Sequence, residues 1–161
     1  MIIKHASWKD IAALTAVETA CFPPAEAATE KEFIDRVQYY GNHFWLLYEG
    51  DKLLAFVDGF VTDEPDLTDV MYEDAALHNE QGAWQMIFGV NTVPEFRRRG
   101  CAERLLRRAI EDARAQGRRG LVLTCKDRLV PYYARLGFQN EGITPNSTHG
   151  GVTWNQMRLI F

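Results

Sequence analysis

No apolar run in this 161-residue sequence approaches the roughly 20 residues that a membrane-crossing helix needs, so no membrane association is expected. The opening residues, Met1-Ile2-Ile3-Lys4-His5, lack the long apolar stretch and small-residue cleavage site of a secretory signal, which makes the cytoplasm the expected compartment. Cysteine is scarce. Cys21, Cys101 and Cys125 form an odd set without Cys-x-x-Cys spacing, which argues against a disulfide framework and against a metal site. Each reads as a small buried or half-buried thiol. Repeats, low-complexity segments and Pro/Gly/Ser-rich linkers are missing too, so residues 1–161 read as a single domain, long enough to bury a core. Neither Gly-x-x-x-x-Gly-Lys-Ser/Thr nor Gly-x-Gly-x-x-Gly occurs, which removes two familiar nucleotide-binding motifs.

The charges are distributed unevenly. From Leu53 to Phe96 there is no Lys or Arg, against nine acids. From Arg97 to Arg119 there are nine Arg against Glu103, Glu111 and Asp112, inside a chain whose net charge is −4. A basic cluster in an acidic protein points to a compact anion site, not to a nucleic-acid surface, which usually needs a basic domain. The acidic stretch from Asp58 to Asp74 is read as a solubilising loop that can also attract a cationic amine.

Hydrophobic spacing divides the chain into alternating elements. Ile2-Ile3-Lys4-His5 is a short first strand. Ser7-Trp8-Lys9-Asp10 and Thr29-Glu30-Lys31-Glu32 carry capping-box patterns, each ahead of a helical run, and Gly41 is placed to end the second helix. Phe44–Glu49 and Lys52–Val61 form a hairpin around Gly50-Asp51, and Thr62–Gly82 is a loop with a short helix near Tyr72–His78. Trp84–Val93 reads as one buried strand ended by Pro94. Between Cys101 and Gln116, the residues Ala102, Leu105, Leu106, Ala109, Ile110 and Ala113 mark a strongly amphipathic helix. Leu121–Thr124 is the next strand and Val130–Leu136 a short helix stopped by Gly137; strands begin at Phe138 and within Val152–Ile160. A hairpin among interspersed strands and helices predicts a mixed sheet.

Arg97-Arg98-Arg99-Gly100-Cys101-Ala102 sits where a strand hands over to the long helix. Unpaired N–H groups and the positive end of the dipole at a helix N-terminus suit a phosphate. Gly100 permits close backbone approach, and adjacent Arg side chains add charge-assisted hydrogen bonds. Read from the residues alone, this is either an anion site or a solvated Arg-rich turn.

The stretch Val93-Pro94-Glu95-Phe96-Arg97-Arg98-Arg99-Gly100-Cys101-Ala102 with Leu105-Leu106 resembles motif A of the GNAT superfamily of N-acetyltransferases, whose core is Arg/Gln-x-x-Gly-x-Gly/Ala. Leu123–Asp127 through Val130-Pro131-Tyr132-Tyr133-Ala134-Arg135-Leu136-Gly137-Phe138 resembles motif B. Within the superfamily the sequence is most similar to the arylalkylamine (serotonin) N-acetyltransferase group, through Cys21-Phe22-Pro23-Pro24, Leu77-His78 and Leu129–Tyr133.

The resemblance implies a mixed α/β acyl-CoA N-acyltransferase fold: a mostly antiparallel central sheet flanked by helices, with a splayed central strand. It implies acetyl-CoA as co-substrate, no metal, a small-molecule amine as acceptor that attacks the thioester directly in a ternary complex, and a monomer or homodimer as the assembly. Protein lysine acetylation and acyl-CoA binding without turnover are the alternatives. By resemblance, Val90, Asn91 and Thr92 pair with the pantetheine arm, Arg98, Arg99, Gly100, Cys101, Ala102 and Glu103 surround the pyrophosphate, and Arg97 also belongs to the cofactor site. Tyr133, rather than the adjacent Tyr132, donates a proton to the departing thiolate next to the coenzyme, and a backbone N–H near Val90 serves the oxyanion. Phe22, Pro23 and Pro24 line the acceptor pocket or belong to the core. The arylalkylamine group carries two His on its central strand as a proton relay. The matching positions here are Met86 and Phe88, which cannot accept a proton. A water chain, Asp63, Glu64, His78 or His149 are the substitutes this sequence offers.

Overall fold

Two reciprocal capping boxes start the first helices. Ser7 N donates to Asp10 Oδ2 at 2.9 Å, and a single 3-10 turn then leads into Ile11–Cys21 (α1). Thr29 N donates to Glu32 Oε1 at 3.0 Å while Glu32 N donates to Thr29 Oγ1 at 3.2 Å, opening Glu30–Tyr40 (α2). The remaining helices are Asp69–Glu73 (α3), Cys101–Ala115 (α4) and Val130–Arg135 (α5). The strands are Ile2–Lys4 (β1), Phe44–Glu49 (β2), Lys52–Asp58 (β3), Val61–Thr62 (β4), Trp84–Ile87 (β5), Gly89–Thr92 (β6), Gly120–Cys125 (β7), Gln139–Ile143 (β8) and Asn155–Ile160 (β9). The computed structural model describes residues 1–148 and 151–161. They divide into two compact units, Met1–Gly59 with Gly89–Ala109 and Phe60–Phe88 with Ile110–Phe161.

The first unit holds a four-stranded sheet in the order β1-β2-β3-β6, antiparallel throughout. Helix α1 packs on α2, β3 and β6. Leu14, Phe33, Phe44 and Phe56 are fully buried, with Phe33 edge-on to Phe56 at 5.7 Å between ring centres. Gly41 ends α2 as expected, with a right-handed φ of −52°. Its lack of a side chain serves a close approach, since a Cβ there would lie 2.8 Å from Ala6 O.

The second unit holds a five-stranded sheet, β4-β5-β7-β9-β8, parallel between β5 and β7 and antiparallel elsewhere. Phe60, Leu67, Met86, Val122 and Met157 form its fully buried interior. The short helix expected near Tyr72–His78 is α3 followed by a 3-10 turn at Ala75–Leu77. After α4, Gly117 has a φ of 79°, Arg118 N reaches Ala113 O at 3.1 Å and Gly117 N reaches Arg114 O at 3.1 Å, the double bond of a Schellman ending. Along α4 the expected stripe is largely sealed: Leu105, Leu106, Ala109 and Ala113 are buried, while Ala102 and Ile110 are half-buried.

The single strand expected from Trp84 to Val93 is two strands. Trp84–Ile87 belongs to the five-stranded sheet and Gly89–Thr92 to the four-stranded one, with Phe88 between them. The mixed, mostly antiparallel α/β architecture is therefore present. Among the described residues no helix is long and apolar enough to cross a membrane.

Candidate active site

Strand β6 is an edge. Among the described residues it pairs with β3 alone, Asn91 opposite Phe56 and Val90 opposite Val57. Val93 N donates to Leu54 O at 2.9 Å, which fixes the alternation of the ladder. Val93, Asn91 and Gly89 turn their backbone groups toward β3, and Val90 and Thr92 turn theirs to the open edge. Thr92 O is already engaged, accepting from Cys21 Sγ at 3.3 Å and Arg97 Nε at 3.2 Å. The edge thus offers the N–H and C=O of Val90 and the N–H of Thr92, a short acceptor-donor track suited to an amide-bearing arm. Asn91 differs from its neighbours in what it offers. Its backbone faces the sheet, and its side chain is buried, with Nδ2 donating to Glu18 Oε1 at 2.6 Å.

Beyond β6 the chain makes a 3-10 turn at Pro94–Phe96 and enters the arginine segment. The three arginines do different things. Arg97 is latched back onto Thr92 O. Arg99 stacks on Phe96 at 4.8 Å, and Lys52 lies over the same ring at 5.3 Å, a cation the sequence did not single out. Arg98 is exposed, and among the described residues its side chain has no partner. Its φ of 63° is a left-handed conformation that costs a non-glycine residue about 1–2 kcal/mol. Gly100 follows with a φ of 76° and open space where a Cβ would stand.

The backbone gains from this winding. Among the described residues the amides of Arg98, Arg99 and Gly100 donate to no protein group. The first bond of α4 runs from Arg104 N to Gly100 O at 3.0 Å, so the amides of Cys101, Ala102 and Glu103 precede the helical ladder. Six consecutive donors, the positive end of a fifteen-residue helix and a free guanidinium fit a diphosphate. Cys101 itself is buried with Sγ directed to Phe96 O at 3.7 Å, and Glu103 pairs with Arg107 at 3.5 Å along the helix.

In the second unit, Tyr133 is buried on α5, edge-on to Tyr132 at 5.1 Å and to Phe138 at 6.0 Å. Tyr132 is only half-buried, under Arg135. Burial pushes the Tyr133 phenol well above its usual range, with the nearby Cys125, Tyr132 and Tyr72 adding to the shift. It therefore holds its proton at neutral pH. Among the described residues its hydroxyl has no hydrogen-bond partner. Burial and Asp127 push the Cys125 thiol up to about 11, so it is neutral.

The positions matching the histidine relay are apolar in their surroundings as well as in identity. Met86 is fully buried, and Phe88 packs edge-on to Phe60 and tilted to Tyr72, both at 4.9 Å. Of the substitute bases, His78 has both ring nitrogens engaged, by Val61 N at 3.1 Å and Glu80 Oε1 at 3.0 Å. Asp63 accepts from Ala83 N at 3.1 Å, Glu64 is exposed, and His149 lies outside the described residues. The acidic stretch is structural over much of its length: Asp66 pairs with Arg158 at 2.8 Å, and Asp69 accepts from Ser147 Oγ at 2.9 Å and Thr148 N at 2.8 Å.

A buried polar cluster in the first unit was missed. Glu18 Oε2 accepts from Ala28 N at 2.8 Å; Asp58 Oδ2 accepts from Tyr40 at 3.1 Å and pairs with Arg36 at 3.4 Å. The signal was there to be read. Glu18 falls on the Leu14–Val17 stripe of α1, and Asp58 interrupts an apolar run from Leu53 to Val61.

The sequence profile of the acetyltransferase (GNAT) family matches residues 11–138, and the chain belongs to that family. Serotonin N-acetyltransferase of Mesocricetus auratus is 33% identical over 96 residues, which are 59% of this chain and 45% of that protein, so the chain spans about half the length of this relative. The GNAT-like decarboxylase GphF, solved with isobutyryl-CoA, shares the fold with a TM-score of 0.85 at 20% identity, covering 99% of each chain. The ribosomal-protein-S18-alanine N-acetyltransferase of Escherichia coli has a TM-score of 0.71 at 20% identity, over 99% of this chain and 92% of that one.

Proposed function

We propose that this chain transfers acetyl from acetyl-CoA to the primary amine of a small molecule, by direct attack in a ternary complex. The observation that carries the reading is the run of six unclaimed amides from Arg98 to Glu103, directly after a strand edge that exposes Val90 and Thr92. Arg98, Arg99 and the first turn of α4 hold the diphosphate. The Val90 edge aligns the pantetheine arm, and its N–H donates to the thioester oxygen as negative charge develops there. Arg97 acts indirectly by fixing the end of β6 through Thr92 O. Tyr133 supplies a proton to the leaving sulfur, a role supported by its protonated, unpartnered hydroxyl. A small amine as acceptor follows from the likeness to serotonin N-acetyltransferase, extended to this chain as part of the proposal.

The test is coenzyme A release from acetyl-CoA across arylalkylamines, polyamines, amino acids and a lysine peptide. Release with one class of small amine supports the reading. Release with the peptide alone moves the acceptor to proteins, and binding without release to any acceptor makes the chain a non-catalytic module. In titration calorimetry the double substitution Arg98→Ala and Arg99→Ala is expected to weaken acetyl-CoA about tenfold or more, the loss of charge-assisted bonds. Unchanged affinity removes the phosphate assignment. Tyr133→Phe is expected to lower kcat about 100-fold while acetyl-CoA affinity holds. Equal turnover removes Tyr133 from the chemistry.

A further inference from the structure

The cluster beside β6 contains two acceptors that no described residue satisfies. Asp58 is fully buried, yet among the described residues Oδ1 has no hydrogen-bond partner; Asn91 is 1% exposed, and its Oδ1 has none among them either. Asp58 stands opposite Gly89 in the β3–β6 ladder, and Asn91 lies two residues further along the same face. The glycine has a reason to be there. A Cβ at Gly89 would lie 2.7 Å from Asp58 Oδ1 and 3.7 Å from the Asn91 amide nitrogen, so only glycine lets the carboxylate lean across the strand at this point. Gly89 directly precedes Val90, whose backbone faces the open edge.

The other groups facing Asp58 leave that one oxygen over. From α2, Arg36 and Tyr40 both engage Oδ2. From α1, Glu18 approaches and holds the Asn91 amide so that its carbonyl oxygen is turned free. Buried acceptors are normally paired, and an unpaired one costs about 1–3 kcal/mol. Two on one face, beside the residue that presents the reactive edge, call for a shared donor.

We propose that Asp58 is the proton acceptor of the transfer, receiving the proton of the acceptor's ammonium group on Oδ1 through a water that Asn91 Oδ1 also holds. The inference rests on the acetyl-transfer reading and fills the role for which Met86 and Phe88 are unfit. One N–H bond of the ammonium breaks and its proton passes to Asp58, freeing the nitrogen lone pair. That pair forms the C–N bond to the acetyl carbon as the C–S bond breaks, and the sulfur leaves with its electrons. Tyr133 gives its proton to the departing sulfur, and the second proton lost by the nitrogen restores the tyrosine. The products are an amide, a thiol and one proton on Asp58, which returns to solvent before the next turnover. Burial raises the Asp58 carboxyl against the lowering effect of Arg36 and Tyr40, which increases its affinity for a proton. Asn91 and Glu18 are positioning residues.

The experiment compares kcat/KM of the whole chain over primary amines whose ammonium pKa runs from about 10 to about 7, such as phenethylamine and its β-fluorinated analogues. With Asp58→Asn the loss should be about 100-fold for the most basic amine and should shrink steadily as the amine becomes less basic, because a weakly basic amine arrives with its lone pair free. Acetyl-CoA affinity should not change. Asn91→Ala leaves Arg36, Asp58 and Tyr40 together and serves where Asp58→Asn does not fold; about a tenfold loss with the same dependence on amine basicity is expected. A loss that is equal across the series, or no loss, overturns the role of Asp58 while leaving acetyl transfer standing. A wild-type protein that releases no thiol with any amine overturns both.

Discussion

The molecule contains two polar clusters built from the same parts, arginine and carboxylate, with opposite outcomes. In the second unit Arg158 Nε donates to Glu141 Oε2 at 2.9 Å, Nη1 to Pro65 O at 2.6 Å, and Nη2 to Asp66 Oδ1 at 2.8 Å. Gln156 adds bonds to the same two carboxylates, Asp66 at 2.9 Å and Glu141 at 2.8 Å. The carboxylates stay partly in water, and hydrogen bonding from Arg158 holds the Glu141 carboxyl below its usual range. In the first unit Arg36 faces Asp58 with neither exposed, and burial lifts Asp58 above its usual range despite the arginine. Glu18 is lifted as well, again by burial first. Pairing wins where the acids keep solvent; desolvation wins where they lose it. The first arrangement is a staple, the second a store of proton affinity.

The sharpest way to break this contrast is to remove each arginine. Arg36→Met strands a buried carboxylate and is expected to cost about 3–5 kcal/mol in urea unfolding. Adding Asp58→Asn to that variant should recover part of the loss, since the stranded charge disappears with it. A cost below about 1 kcal/mol would mean that Asp58 is already protonated and needs no partner. Arg158→Met should cost less, about 1–2 kcal/mol, because Glu141 and Asp66 can rehydrate where they stand. What it loses for good is the bond to Pro65 O and the stacking over Trp84 at 4.7 Å. Equal costs for the two variants would erase the distinction.

Much of the scaffold around these clusters was legible because its causes are local. Ser7 with Asp10 and Thr29 with Glu32 satisfy helix amides within one turn, and the stripe from Leu105 to Ala113 needs only its own period. The arginine-glycine junction and the Tyr133-to-Phe138 segment stood out by family pattern. The break at Phe88 did not, because Trp84–Val93 is nearly continuous in its apolarity. What divides it is the change of partner from β7 to β3, with Gly89 pressed against an aspartate more than thirty positions earlier in the chain. Adjacent arginines also look alike in sequence, and only the fold separates Arg97 on Thr92 O from Arg98, which has no partner among the described residues. In the sequence, Asp58 opens an acidic stretch that reads as a loop. Its true setting depends on Arg36 and Tyr40 arriving from α2, which no local pattern announces.

The smallest effect sharpens the comparison most, because the two clusters respond to acid with opposite signs. Asp58 and Glu18 have folded-state values above their unfolded ones, so their cost is fully present above the folded value and fades as pH falls toward the unfolded one. Glu141 lies below its ordinary value of 4.5, so its contribution is present above that value and is lost as pH falls through the folded one. Acidification from neutrality should therefore relieve the first unit before it weakens the second. Glu141→Gln is expected to flatten the loss below about pH 4.5 while leaving the relief above it intact, and to cost less than about 1 kcal/mol at neutral pH because the carboxylate is partly solvated. Urea midpoints measured from neutral to acid for both proteins would show it. If the substitution also alters the region above that pH, Glu141 is drawing on more than its bonds to Arg158 and Gln156, and the staple is not independent of the rest of the fold.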